Sequence, residues 1–175
     1  MITIISGSNK SGSLTRKVAL NYFNRISETG QSVKLLDLEQ VDFAFVSPAM
    51  YEKEKSEYIK NLQAEYFSPA SVFVFVVPEY NGSFPGILKL LIDSLDVRSA
   101  FENKKAALVG VATGRAGNLR GLDHLAGILH HMHVMIIPGH VLISRAAEEL
   151  DAGGNFVHDA TRKLVDKQVL KVTTS

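Results

Sequence analysis

Residues 72–77 read Val-Phe-Val-Phe-Val-Val, the longest apolar run in the chain and β-branched or aromatic at every position. Apolar residues at every position, rather than at alternate ones, are expected of a strand covered on both faces. Such a strand calls for helices on both sides of its sheet, and the flanking sequence carries their pattern. Ile2 to Ser6 reads as a short buried strand ended by Gly7, and Val33 to Leu36 as a second. Ala106 to Ala112 reads as a fourth, and Val134 to Ile143 as a fifth that Pro138-Gly139 bends or interrupts. Leu14, Val18, Ala19, Tyr22, Phe23 and Ile26 recur at helical spacing, with Gly30 placed as a C-terminal cap. Val41 to Met50 reads as a long connection. Glu52 to Tyr66 reads as a charged surface helix with Tyr58, Ile59, Leu62 and Tyr66 on one face. Pro85 suits a first helical position for the stripe Phe84, Ile87, Leu88, Leu91, Ile92 and Leu95. Asn118 to His133 and Val157 to Val172 read as two further helices. Five strands in steady alternation with helices predict an α/β doubly wound parallel sheet, with its ligand cleft at the C-terminal ends of the strands.

Composition narrows what such a cleft can do. At roughly 150 residues per domain, 175 residues predict one domain spanning residues 1–175. The chain has no cysteine, which excludes disulfides, iron–sulfur clusters, Cys-ligated zinc and a thiolate nucleophile. Lys and Arg number 19 against 18 Asp and Glu, a formal charge of +1, so there is no electrostatic footprint for nucleic acid or an anionic membrane. A membrane helix needs about 18 apolar residues, three times the longest run here. Met1-Ile2-Thr3-Ile4-Ile5 follows no basic region and turns directly into Ser-Gly-Ser, so it reads as a strand and not as a signal peptide. The expected location is cytoplasmic.

Three stretches that follow strands stand out. The first, Ser6-Gly7-Ser8-Asn9-Lys10-Ser11-Gly12-Ser13-Leu14-Thr15-Arg16, is crowded with small residues and hydroxyls and ends at a helix N-terminus. Backbone donors and the positive end of the helix dipole there suit a phosphate; the plainer reading is a solvated turn with Ser13 as N-cap. Gly7 and Gly12 match the outer spacing of G-x-x-x-x-G-K-[ST], but Ser13 occupies the lysine position, which argues against a nucleoside triphosphatase. The G-x-G-x-x-G fingerprint is absent, since Asn9 stands two residues after Gly7. Asp37, ending strand two, is a candidate ribose ligand or a polar strand terminus. A phospho-acceptor receiver domain shares the architecture but needs acidic residues after strands one and three, where this chain has Ser6-Gly7 and Pro78-Glu79.

The second stretch is Pro78-Glu79-Tyr80-Asn81-Gly82-Ser83-Phe84-Pro85-Gly86. Its prolines fix the path and Asn81-Gly82 permits positive φ. The loop is either an ordinary strand-to-helix turn or a rigid edge that turns main-chain groups toward a flat heterocycle, with Tyr80 and Phe84 as apolar walls. The third, Thr113-Gly114-Arg115-Ala116-Gly117-Asn118-Leu119-Arg120-Gly121, allows close backbone approach, and Arg115 or Arg120 either meets an anion or lies in solvent.

Together, Gly7 to Ser13, Pro78 to Lys89 and Thr113 to Gly117 resemble the NADPH-dependent FMN reductase family, whose flavodoxin-like members include quinone, azo-dye and chromate reductases. The resemblance runs from strand one through strand five, and Pro-Glu-Tyr-Asn-Gly-Ser is its specific part. It implies a flavodoxin-like three-layer sandwich, a five-stranded parallel sheet in the order 2-1-3-4-5. It also implies that Ser8, Lys10, Ser13 and Thr15, beside Leu14 at the helix N-terminus, hold the FMN phosphate. Pro78, Glu79, Tyr80, Asn81, Gly82 and Ser83 would line the isoalloxazine, with Thr113, Gly114 and Arg115 flanking it from the next loop. Lys10 stands where the family usually has arginine, a point charge in place of a bidentate fork. Thr15 replaces a common asparagine, and Ser94 a common tryptophan.

The function so implied is an FMN-dependent NAD(P)H oxidoreductase. NAD(P)H is the co-substrate, giving hydride through FMN to a small-molecule quinone, flavin, azo or metal-oxyanion acceptor. No catalytic side chain is demanded. The alternative is an FMN-binding electron carrier or sensor without efficient nicotinamide oxidation; a scaffold that has lost the cofactor is a third. The resemblance implies a homodimer or homotetramer. His130, His131 and His133, with His124 and His140, invite a metal reading. No carboxylate shares their helix at a matching spacing, and histidines at a helix C-terminus are favoured by the dipole alone, so no metal site is expected.

Overall fold

The computed structural model describes residues 1–175, leaving aside the side chain of Ala49. Its strands are β1 (Ile2–Ser6), β2 (Val33–Asp37), β3 (Val72–Pro78), β4 (Lys105–Val111), β5 (Met135–Ile136) and β6 (Val141–Ile143). All pair in parallel, in the order β2-β1-β3-β4-β5, with β6 also on β4. This is the flavodoxin-like doubly wound order expected from the sequence. The helices are α1 (Leu14–Ser27), α2 (Glu57–Leu62), α3 (Gly86–Ser94), α4 (Val97–Phe101), α5 (Leu119–His131), α6 (Ala146–Glu149) and α7 (Asp159–Thr173).

Strand β3 is buried at all seven positions, and its alternation separates two cores. Val72, Val74 and Val76 pack with Ile2 and Ile4 beneath α1 and α7. Phe73, Phe75 and Val77 point the other way, onto Leu88 and Leu91 of α3 and Leu122 and Leu125 of α5. Phe67, Phe73 and Phe101 meet there with ring centroids 5.6–5.7 Å apart, in the tilted and edge-on arrangements that aromatic quadrupoles favour.

Several element ends differ from the sequence reading, each for a local reason. Helix α2 starts at Glu57 and not at Glu52, because the Ser56 hydroxyl accepts from the Ile59 amide and caps it; it then runs into a π turn over Gln63–Phe67. Pro85 is the N-cap of α3 and not its first residue. Leu95 is buried but extended, and Asp96 caps the separate helix α4 by accepting from the Ser99 amide at 2.9 Å. The connection expected over residues 41–50 carries two short 3-10 turns, at Phe43–Phe45 and Pro48–Tyr51, the second running one residue past it.

The fifth sheet position is split where Pro138-Gly139 predicts. β5 pairs with Lys105 and Ala106 of β4, and β6 with Val109 to Val111. Ladder hydrogen bonds are lost in the gap, and one side chain replaces them. The Gln168 amide of α7 donates to Leu108 O at 3.2 Å and to Gly139 O at 3.0 Å, while its oxygen accepts from the buried Tyr22 hydroxyl at 2.7 Å. Burial pushes the Tyr22 phenol far above its ordinary range, so it stays a donor. Replacing Gln168 by leucine, close in size, removes all three hydrogen bonds, the two to the Tyr22 hydroxyl and the Leu108 carbonyl being fully buried. Gln168→Leu is expected to destabilise the fold by about 3 kcal/mol, read as a lower urea midpoint with an unchanged slope.

Candidate active site

The loops after β1, β3 and β4 meet at one edge of the sheet. The first leaves β1 with the Gly7 amide donating to Val76 O at 2.8 Å. A side chain at Gly7 would press a Cβ to 3.1 Å from that same oxygen, so the loop crosses β3 closely only because Gly7 has none. The buried Ser8 hydroxyl accepts from the Lys10 amide at 3.2 Å, and Ser13 caps α1 by accepting from the Arg16 amide at 3.2 Å. Among the described residues, the amides of Gly12, Ser13, Leu14 and Thr15 have no hydrogen-bond partner. They are the donors of a helix N-terminus, where the dipole favours an anion.

Asp37 does not stand ready for a ribose. It is 8 % exposed, ion-paired with Arg16 at 2.6 Å, and its second oxygen accepts from the Glu39 amide at 3.2 Å. It is the polar strand terminus, and it also occupies Arg16. Among the described residues Lys10 has no such partner and remains an exposed cation beside the loop.

The second loop is a miniature hairpin. Tyr80 and Ser83 exchange backbone hydrogen bonds of 2.8 and 3.0 Å around Asn81 (φ 52°) and Gly82 (φ 76°), the turn that Asn-Gly favours. The Glu79 amide donates to Val111 O at 2.9 Å, so the unpaired amides left in this turn are those of Asn81 and Gly82. Tyr80 OH lies 3.3 Å from Ser8 Oγ and joins the first two loops. Ser83 Oγ lies 2.9 Å from His124 Nδ1 on α5.

The third loop lies flat on the sheet. A Cβ at Gly110 of β4 would overlap the carbonyl oxygen of Gly117. The Arg145 and Ala146 amides donate to Gly114 O and Ala112 O at 2.9 Å each, closing the loop from the other side.

These loops bound a cleft of about 190 Å3. Of the residues singled out from sequence, Ser8, Lys10, Ser13, Leu14, Thr15, Pro78, Glu79, Tyr80 and Thr113 line it. Asn81, Gly82, Ser83 and Gly114 lie beyond its wall, and Arg115 borders a separate depression with Arg145 and Glu148. Gly12 of the first stretch, Val111 and Ala112 at the end of the fourth strand, and Ala146 also line the cleft, and of these Ala146 carried no sequence signal. Ala146 arrives from 25 residues beyond Gly121, the end of the third stretch, which no local pattern announces. The unpaired amides, the buried hydroxyls of Ser8 and Thr15 and the free Lys10 ammonium fit a phosphate monoester, and the apolar Val111 and Ala112 suit what it carries. His130 and His131 lie at the far end of α5, His124 faces the second loop, and among the described residues no three His, Asp or Glu side chains cluster as a metal site would require.

Comparison with known proteins matches residues 1–148 to the family model described as NADPH-dependent FMN reductase. The chain is 31% identical to an NAD(P)H-dependent FMN reductase of Pseudomonas aeruginosa, over 94% of this chain and 89% of that one. It is 27% identical to an FMN-dependent NADPH-azoreductase of Staphylococcus haemolyticus, over 89% and 84% of the two chains. Among solved structures, the flavoenzyme NAD(P)H:(acceptor) oxidoreductase FerB of Paracoccus denitrificans superposes with a TM-score of 0.81 at 21% identity, covering 99% of this chain and 94% of that one.

The fit of the third loop on β4 gives a direct check of the cleft's construction. Gly110→Ala is expected to cost at least about 2 kcal/mol, because the added methyl meets backbone and not a movable side chain. Thermal melting reads this loss, and Gly114→Ala, with open space around its Cβ position, serves as the tolerated control.

Proposed function

The chain belongs to the NADPH-dependent FMN reductase family, and on that premise we propose that it is an FMN-dependent NAD(P)H oxidoreductase acting on a small-molecule acceptor. The acceptor class is quinone, flavin, azo compound or metal oxyanion. The observation that carries the reading is the row of unpartnered amides at Gly12 to Thr15, opening into the same cleft as the ends of β3 and β4.

Ser8, Lys10, Ser13 and Thr15 hold the phosphate, with the Leu14 amide at the helix N-terminus. Lys10 binds it as a point charge, which leaves the planar recognition to the amides. Pro78, Glu79 and Tyr80 flank the ring, and the free amides of Asn81 and Gly82, beside Ser83, serve its polar edge. Thr113, Gly114 and Arg115 bound the opposite side. FMN, when bound, supplies the hydride-accepting heterocycle that no protein side chain offers. The protein's part is to bind and orient it and to place donors where negative charge grows on reduction.

A cytoplasmic location goes with this reading, since the reductant is a soluble nicotinamide; no helix is long and apolar enough to cross a membrane. A homodimer or homotetramer also goes with it. The groove between α3 and α5, where Ile92, Val97, Ile128 and Met132 are rimmed by Lys89, Asp93, His124 and His131, is the face such an assembly would cover.

The test loads purified protein with FMN, desalts it, and adds NADPH or NADH without oxygen. Bleaching of the visible flavin band by either nucleotide is the expected result. FMN that co-elutes but stays oxidised would make the protein a carrier or sensor instead, and loss of FMN on desalting would remove the phosphate assignment. Lys10→Ala is expected to weaken FMN binding about tenfold, the scale of one charge-assisted contact, with the melting temperature unchanged because the side chain is exposed and unpaired. Equal affinity of mutant and wild type in a fluorescence titration would refute the role of Lys10.

A further inference from the structure

Asn118 is completely buried where the third loop turns into α5, with a left-handed backbone at φ 63°, ψ 29°. Its Nδ2 donates to the carbonyls of Val77 and Pro78, each at 3.0 Å. Both hydrogens of the amide are thus committed to the two residues that end β3, immediately before the hairpin of the second loop. Its Oδ1 is buried and has no partner, directed at the first turn of α5, where a Cβ on Gly121 would collide with it. A buried orphan acceptor is costly. This side chain is therefore poorly explained as packing, and its hold on β3 is what it contributes.

The far side of the hairpin rests on the same helix. A Cβ on Gly121 would also stand 2.8 Å from the Ser83 carbonyl carbon, so the loop and α5 touch backbone to backbone. Ser83 Oγ meets His124 one turn further on. The second loop is thus fixed at its start by Asn118 and at its end by the surface of α5, which leaves Asn81-Gly82 as a short, stiff tip.

We propose that Asn118 is a positioning residue for the cofactor. It ties the third loop to the second, and so sets where the unpaired Asn81 and Gly82 amides stand against the polar edge of the ring. This rests on the FMN reading above. It concerns a residue that does not line the cleft and acts through Val77 and Pro78.

Asn118→Gly is the informative variant, because glycine adopts the left-handed conformation without strain while the carboxamide is lost together with its Cβ. The expected outcome is an apo-protein that still folds cooperatively with a melting temperature lowered by about 5 °C, an FMN dissociation constant raised about tenfold, and a more negative flavin midpoint potential. Potential is the decisive readout, since looser donors favour the reduced, anionic ring less while a purely structural defect leaves it where it was. Asn118→Asp offers one donor when its carboxyl is protonated, the form that burial and the two facing carbonyls favour, and none when it is ionised. Its FMN affinity is therefore expected to fall towards that of Asn118→Gly as pH rises through the titration of that carboxyl, a pH dependence that Asn118→Gly cannot show.

Wild-type affinity and potential in Asn118→Gly would overturn the proposal, as would a fall in melting temperature with the potential unmoved. If wild-type protein itself fails to retain FMN, the function reading fails and the loop claim is read without cofactor. Hydrogen exchange at the Glu79, Tyr80 and Ser83 amides is then expected to quicken about tenfold in Asn118→Gly, and unchanged exchange would overturn it.

Discussion

Parallel pairing of β1 with β3, and of β3 with β4, makes every one of these strands leave the sheet at the same edge. Ser6, Pro78 and Val111 end within that edge, and the chain returns each time through a helix on one face or the other. Three loops far apart in sequence are therefore forced into contact before any of their side chains is chosen. Their approach is then as close as backbone permits: Gly7 over Val76, Gly117 over Gly110, Ser83 against Gly121. The cleft is a product of strand direction, and the glycines determine how narrow it is.

Electrostatics within that edge follow from two pairings. Arg16 would compete with Lys10 for an anion at the start of α1, but Asp37 at the end of the neighbouring strand holds it at 2.6 Å. The helix N-terminus is left with its amides and one unpaired ammonium. Of the cleft-lining residues Glu79 alone carries a carboxylate and it is exposed, while the buried cleft positions are hydroxyl or apolar.

What the sequence makes legible here is what neighbouring residues decide. The all-apolar run of β3 reads directly as a strand covered on both faces. Asn81-Gly82 reads as a tight turn because its positive φ values are intrinsic to those residues. Pro138-Gly139 reads as a break because proline cannot donate to the ladder. Local competition is harder to read: Ser56 outbids Glu52 as a helix start through one hydroxyl, and Leu95 keeps helical spacing while its backbone is extended. Least legible are residues whose partners lie far along the chain. Gln168 reaches Leu108 across 60 positions, Asn118 reaches Val77 across 41, and neither interrupts a local pattern. Their roles exist only once the sheet has formed.

The split at the last sheet position has a consequence for life at high concentration. A long outer strand presents a row of free amides and carbonyls, a template on which another chain can add a strand. Here that border is a two-residue and a three-residue strand, separated by a proline and a glycine. The Lys171 ammonium donates to Pro138 O at 2.7 Å within the break, and Gln168 occupies Gly139 O from behind. The gap that removes ladder hydrogen bonds from the fold also denies a foreign strand a continuous register, so the same break guards this border of the sheet against edge-to-edge aggregation.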